Sequence, residues 1–358
     1  MNAPFLRSRQ TCRLTRLGEP DERARVETFL AGHGDATPFH RPAWLSAVVA
    51  GTGNRAIALL AERDGEIIAY LPLSEVHSPL FGRVLASSGF AVGGGLLTVP
   101  GADADAMFAA AEELAQRLST PTIELRGGVL PQQRGGWLTK DQSHCGFVAP
   151  LAVDDEAQLL TIPRKQRAEV RKGLDQPFDI AVGTSQADGD AHYAVYATSV
   201  RNLGTPVFPR GLFDAVLAEF GVDADILTVS HQGQPVASVL SLYHRGAVMP
   251  YWGGGVWAAR RLRANARMYY ELMLHARRRG CSHFDFGRSK TGSGAYDFKR
   301  NWGFDPEPLS YACWTAPGTQ ARDANPTSAR HAMQIALWRR LPLAVANRFG
   351  PLIARGLG

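Results

Sequence analysis

The stretch Phe284-Asp285-Phe286-Gly287-Arg288-Ser289-Lys290, closed by Tyr296-Asp297-Phe298-Lys299-Arg300-Asn301-Trp302-Gly303-Phe304, carries the densest set of chemically capable residues in this chain of 358. Phe284, Asp285 and Phe286 read as a short strand with alternate side chains on opposite faces. Gly287 and the run Thr291-Gly292-Ser293-Gly294 then break regular structure. Arg288, Lys290, Lys299 and Arg300 crowd the same segment with Tyr296, Phe298 and Trp302. A buried strand that opens into a glycine-rich, cationic and aromatic loop suits an anionic group, or one that becomes anionic in a transition state. Asp285, at the strand's end, is the acidic residue placed to serve as a general base. A structural hydrogen bond between strand and loop is the plainer use of the same carboxylate.

A second cationic cluster lies near the middle of the chain. Arg164-Lys165-Gln166-Arg167 and Arg171-Lys172 enclose a single acid, Glu169. Pro163 marks a helix start, and the spacing of Arg164, Arg167 and Arg171 puts them on one helix face. A solvated face usually mixes signs, so this one points to phosphate oxygens gripped by Arg164, Lys165 and Arg167. Tyr251 and Trp252 have two readings, as the lining of an acceptor pocket or as ordinary strand core.

The elements that must position these residues occur twice. Ile123-Glu124-Leu125 matches Phe284-Asp285-Phe286 at an offset of 161, and the helix face Met107, Ala111, Leu114 precedes it as Met268, Leu272, Ala276 precedes Gly280. Gly93-Gly94-Gly95 matches Gly253-Gly254-Gly255 at 160, Glu62–Ala69 matches Ser230–Ala237 at 168, and Phe39 and Trp44 match Phe208 and Phe213 at 169. Five matches in one order predict two similar domains, and the falling offset predicts one insertion in the first copy between Ser78 and Ala91. The expected plan is an α/β (α+β) chain with domains over residues 20–155 and 156–316, followed by a helical tail over 317–358.

Composition is that of a globular protein, with 45% hydrophobic and 20% charged residues. No run reaches the roughly 18 apolar residues of a spanning helix, and Met1–Gln10 lacks a signal-peptide core. Cys12, Cys145, Cys281 and Cys313 are scattered without metal spacing, and the ten histidines form no ligand motif. The expectation is a cytoplasmic protein with no metal and no tightly bound cofactor. Most of the net charge of +6 sits in the tail, where six Arg and one Asp follow Pro317. The tail holds Met333, Ile335, Leu337 and Trp338, then a stretch from Leu343 to Arg355. It suits either peripheral contact at the inner membrane face or docking on the protein's own body.

Tyr251-Trp252-Gly253-Gly254-Gly255, Ala259-Arg260-Arg261-Leu262-Arg263-Ala264-Asn265, the helix to Gly280 and the Phe284–Phe304 segment together resemble the FemAB family. That family belongs to the GNAT acyltransferase superfamily and has two tandem GNAT-like domains, each with a central mixed sheet. The nearest branch is that of FemAB-like proteins associated with the exosortase/PEP-CTERM system of exopolysaccharide producers. The resemblance is strong from Met249 to Leu309. It implies acyl or aminoacyl transfer to an amine or hydroxyl of a phosphate-bearing cell-envelope or exopolysaccharide precursor, with aminoacyl-tRNA or acyl-CoA as donor. It also implies that Lys299 stabilises the oxyanion beside Phe298, and that the turn carrying Arg260, Arg261 and Arg263 meets the donor's phosphates. Arg288, Lys290 and Tyr296 join the expected binding surface. The Gln/Arg-x-x-Gly-x-Gly/Ala signature of coenzyme A sites is missing from that turn, and so are the heptads of a tRNA-binding helical arm. The first domain implies a degenerate copy. The rival expectations are an acyl-CoA-dependent N- or O-acetyltransferase on sugars, and a non-catalytic binder of a nucleotide-linked precursor or RNA.

Overall fold

The computed structural model describes residues 10–79, 81–319 and 335–358. Contacts divide the chain into two units. Unit 1 is Met1–Lys140 with Ser310–Ala324 and Gly356–Gly358; unit 2 is Asp141–Leu309 with Asn325–Arg355. The first stretch runs β1 (Thr11–Leu14), α1 (Pro20–Gly32), α2 (Pro42–Thr52), β2 (Arg55–Arg63), β3 (Glu66–Ser78), β4 (Gly82–Ser87), β5 (Leu97–Thr98), α3 (Ala104–Arg117) and β6 (Thr122–Arg126). Next come β7 (Trp137–Gly146), β8 (Val148–Pro150), α4 (Asp155–Thr161), α5 (Arg164–Leu174), β9 (Phe178–Gly183), α6 (Gln186–Leu203), α7 (Arg210–Phe220), β10 (Ala224–His231), β11 (Gln234–His244) and β12 (Ala247–Gly255). The last stretch holds α8 (Trp257–Leu262), α9 (Ala264–Arg278), β13 (His283–Asp285), β14 (Ser289–Lys290), α10 (Gly294–Asn301), β15 (Glu307–Thr315) and α11 (Leu343–Ala354).

The repeat is visible strand by strand. In unit 1 the sheet order is β1-β2-β3-β4-β6-β15, and in unit 2 it is β9-β10-β11-β12-β13-β8. Both runs begin with four antiparallel neighbours, follow with one parallel pair, and then take an antiparallel strand; the first sheet continues past β15 and also carries β5 on β3. Ile123 pairs with Leu85 in the parallel step of unit 1, as Phe284 pairs with Val248 in unit 2. Asp64-Gly65 and Gln232-Gly233 make the same two-residue hairpin turn with both residues left-handed. A bulge follows Ala61 in one hairpin and Val229 in the other, again 168 residues apart. Such bulges add local twist to the hairpin at the same place in both sheets.

Two expectations change. The units divide at Lys140/Asp141 rather than at 155/156, because β8 pairs with β13 inside unit 2. The match of Gly93–Gly95 to Gly253–Gly255 is not structural, since the first triplet lies in a loop after β4 while the second ends strand β12. Of the tail, residues 320–334, including Met333, fall outside the described residues. Up to Arg355 the described part packs within unit 2: Arg339 Nη2 donates to Leu203 O at 3.1 Å, and a Cβ on Gly350 would lie 3.1 Å from Val207 N.

Each sheet carries its helix on an apolar stripe. Met107, Ala111 and Leu114 of α3 pack with Ile123, Leu125 and Leu71, while Met268, Leu272 and Ala276 of α9 pack with Val239 and Phe284. A buried side chain of this size contributes about 1.5–3 kcal/mol, so α9 is held firmly where its first turn meets the end of β12.

Candidate active site

The site in unit 2 starts from a parting of strands. β12 and β13 pair only at Ala247–His283 and Val248–Phe284. At Tyr251 strand β12 carries a bulge: Leu240 faces Trp252 and Ser241 faces Pro250, which leaves Tyr251 as the extra residue. A bulge bends the strand and re-aims its side chains. Beyond it, β12 ends on three glycines, whose missing side chains leave room for Tyr269, Ser199 and Asn265 in turn.

Tyr269 of α9 stands in the parting. Its hydroxyl is 3.2 Å from where a Cβ on Gly253 would lie, and no hydrogen-bond partner is found for it among the described residues. Its ring is walled by Phe286 at 4.9 Å, Phe298 at 5.7 Å and Trp302 at 6.0 Å. Burial pushes its pKa up to about 12, so the hydroxyl stays protonated and can donate. The residues in isolation give no sign of Tyr269; the repeat does. At the same offset of 161, unit 1 has Phe108, which is fully buried and has no hydroxyl.

Lys299 lies on α10, a helix started by Ser293, whose hydroxyl accepts from Tyr296 N at 3.3 Å. The side chain is buried, with Nζ 5.3 Å from the Phe147 ring centre and 5.9 Å from that of Phe286. Nζ donates to Gly287 O at 3.1 Å and Arg288 O at 2.9 Å, which leaves one N–H over. Burial brings its pKa down to about 8, against the pull of Asp285. Asp285 holds the same turn from the other side. Its carboxylate accepts from Gly287 N at 2.8 Å and fixes Gly287 in the left-handed region at φ 68°. Burial raises the Asp285 carboxyl, while Gly287 N–H and Lys299 draw it back. The pair therefore clamps the loop that follows β13. Lys299 retains a proton to offer an oxyanion, and the carboxylate already has a backbone partner.

The cationic helix α5 packs on α9. Val170 and Gly173 are buried, and Glu169 pairs with both Lys172 at 2.9 Å and Arg263. Glu169 is held below the usual carboxylate range, first by Lys172 and then by Arg263 and Lys165. Arg164 and Lys165 are exposed and Arg167 is half-buried. Arg260 and Arg261 are exposed on α8, with Arg260 stacked 4.6 Å over the Trp257 ring. Arg263 takes a left-handed conformation, φ 61°, at the entry to α9. The structure thus brings the two arginine clusters into one surface. Arg164–Leu174 and Trp257–Glu271 together hold nine cations against two carboxylates.

Other expected residues fall differently. Trp252 does not line a pocket; it is 4% exposed and packs 4.6 Å from Phe213 beneath α7, because the bulge turns it to the helix-covered face. Tyr251 is half-buried at the bulge itself. Arg288 and Lys290 are half-buried after β13, with Lys290 paired to His144 across β14 and β7. Tyr296 sits edge-on to Phe147 at 5.5 Å. A separate cavity of about 310 Å³ opens at the other end of β12, beside Ala247, Arg245 and Arg279. There Asp225 accepts from Tyr243 Oη at 2.9 Å and is bonded to His275 Nε2 at 2.9 Å, a network that ties strand ends together. No group of three metal-ligating side chains is found among the described residues.

Residues 163–300, which hold the parting, the clamp and both arginine clusters, match the family model of an acetyltransferase (GNAT) domain. Among solved structures the chain is similar to FemX, at 14% identity and a TM-score of 0.62, covering 81% of this chain and 95% of that one. It is also similar to a tandem GNAT protein from the clavulanic acid biosynthesis pathway (12%, TM-score 0.56, covering 87% and 100%) and to L-PGS from Bacillus licheniformis (13%, TM-score 0.52, covering 90% and 96%). The fold is that of a tandem GNAT protein. No curated protein matches the chain.

Proposed function

We propose that the protein transfers an acyl or aminoacyl group to an amine or hydroxyl of a phosphate-bearing acceptor. The observation that carries this reading is the Tyr269 hydroxyl, without a partner among the described residues, on one side of the Phe286 ring that also borders a buried lysine with one N–H left over. The acceptor nitrogen or oxygen attacks the donor carbonyl carbon. The carbonyl oxygen takes up negative charge, and Lys299 stabilises it more than the neutral ground state. The C–O or C–S bond to the donor then breaks; the Tyr269 hydroxyl gives its proton to the leaving oxygen or sulfur and regains the one that the acceptor nitrogen or oxygen loses. The joined basic surface of α5, α8 and α9 favours aminoacyl-tRNA as donor, because a long polyanion uses many spaced cations. The left-handed turn at Arg263 favours the second reading, an acyl-CoA donor, since it opens the N-terminus of α9 toward a phosphate. The tandem GNAT neighbour from clavulanic acid biosynthesis was solved without AcCoA. Within the first reading, an exopolysaccharide or envelope precursor is the acceptor, a choice that rests on the sequence's resemblance to the exosortase-associated branch. Incubating the protein with charged tRNA or acyl-CoA, and identifying the ligand that co-purifies by mass spectrometry, tests this. Turnover with neither donor, together with tight binding of RNA or a nucleotide-linked sugar, would instead mark a binding protein.

A further inference from the structure

Helix α11 is built the wrong way round for a helix that serves only its own protein. Ala346, Gly350 and Ala354, spaced four apart, form its buried face. The close approach of Gly350 to Val207 shows that this face admits only small residues. Three of the helix's large apolar side chains point outward. Val345, Phe349 and Leu352 are 36%, 50% and 57% exposed, and Leu337, just before the helix, is 65% exposed. Positions i, i+4 and i+7 make one continuous stripe. Arg348 flanks the stripe on the same side, and Arg340 is exposed in the turn before it. No acidic residue follows Asp323 in the sequence. A protein partner or a second copy would ordinarily meet such arginines with carboxylates, and this segment has none to offer to its own copy. A bilayer with anionic headgroups meets both features at once. Apolar side chains enter the acyl boundary, while the arginines reach the phosphates.

We infer that α11 is a membrane-surface anchor, laid flat on an anionic bilayer through Val345, Phe349 and Leu352. Its binding falls as salt rises, because the arginine contribution is screened. The test is flotation of the full chain with vesicles of phosphatidylglycerol and phosphatidylcholine, against vesicles of phosphatidylcholine alone. Two variants accompany it, Phe349→Ser with Leu352→Ser, and Arg340→Gln with Arg348→Gln. All four side chains are exposed, and circular dichroism verifies that folding is intact. The wild type should float with anionic vesicles and bind them at least about tenfold more strongly than neutral ones. The apolar pair should lose about tenfold or more, and the arginine pair should lose the preference for anionic lipid. Wild type and both variants staying alike in solution at low salt would overturn the inference. So would a dimer in sedimentation velocity that Phe349→Ser with Leu352→Ser makes monomeric, since the face would then belong to a second copy.

Discussion

Unit 1 and unit 2 share strand order, hairpin turns and bulges, and they differ where the fourth and fifth strands part. In unit 1 the parting is filled by main chain. Leu96 bridges to Gly128 and Val129, Val129 N donates to Leu96 O at 2.8 Å, and a Cβ on Gly95 would fall 1.8 Å from Gly127 O. The cation at the end of β6, Arg126, is spent on Glu124 Oε1 at 2.7 Å, Ala91 O at 2.8 Å and Gly358 O at 2.8 Å. In unit 2 the same place holds Tyr269 and the Lys299–Asp285 clamp. The difference shows how one scaffold becomes a support in one copy and a site in the other. In unit 1 a loop laid across the parting uses its backbone groups there, whereas in unit 2 the parting holds a side chain whose hydroxyl has no partner among the described residues.

The sharpest test exchanges the fates of the two cations. Lys299→Ala should lower turnover by roughly 10²–10³, the usual cost of one oxyanion donor; the Gly287 and Arg288 carbonyls also lose their donor, so turnover is read well below the variant's melting temperature. Arg126→Ala should leave the chemistry intact while destabilising unit 1 by about 2–4 kcal/mol in urea unfolding, because Glu124 and two carbonyls lose a charged donor. Equal loss of turnover from both would dissolve the distinction between the units.

A mirrored pair follows at the aromatic position. Tyr269→Phe should reduce kcat by about a hundredfold with stability unchanged, the low end for loss of a positioned proton donor. Phe108→Tyr should do the opposite, leaving kcat alone and costing about 1–3 kcal/mol for a buried hydroxyl without a partner. A Tyr269→Phe enzyme with full activity would remove the hydroxyl from the mechanism.

The pH dependence of kcat comes next. The pKa of Lys299 is depressed to about 8 in the folded chain, so the cation is present below that value and lost above it. Turnover should therefore fall by about tenfold per unit above pH 8. Lys299→Arg, which keeps its proton, should flatten that limb even if its absolute rate is lower. The same depression adds stability as pH rises from about 8 toward the ordinary lysine value of 10.5, because there only the unfolded chain retains the proton. The smallest effect concerns affinity. Replacing Arg164, Lys165 and Arg167 by Gln should weaken binding of a phosphate-bearing ligand by about tenfold, since each exposed cation contributes at most about 1 kcal/mol. Isothermal titration at two salt concentrations would show a flatter salt response in the triple variant.

Features that repeat locally were legible in the sequence. The Asp64-Gly65 and Gln232-Gly233 turns, the α3 and α9 stripes and the strand Phe284–Phe286 follow from periodicity and turn chemistry, and their order gave the two-unit plan. Three things were hidden for physical reasons. Trp252 changes face through a bulge, and one extra residue leaves no mark on the hydrophobic pattern. The acceptors of Lys299 are main-chain carbonyls, which are the same in every sequence. The antiparallel neighbour of β6, and likewise that of β13, is chosen by pairing across a long stretch of chain, which local periodicity does not encode.

That last pairing has a consequence for how the protein is made. β6 finds its outer neighbour in β15, so its edge waits unpaired until residue 315 has left the ribosome. β13, by contrast, meets β8, which has already emerged, as soon as it appears. The unit encoded first is thus completed last, with an open strand edge of the kind that invites aggregation during synthesis. A chaperone that shields nascent strands has its work set by the topology of the N-terminal unit.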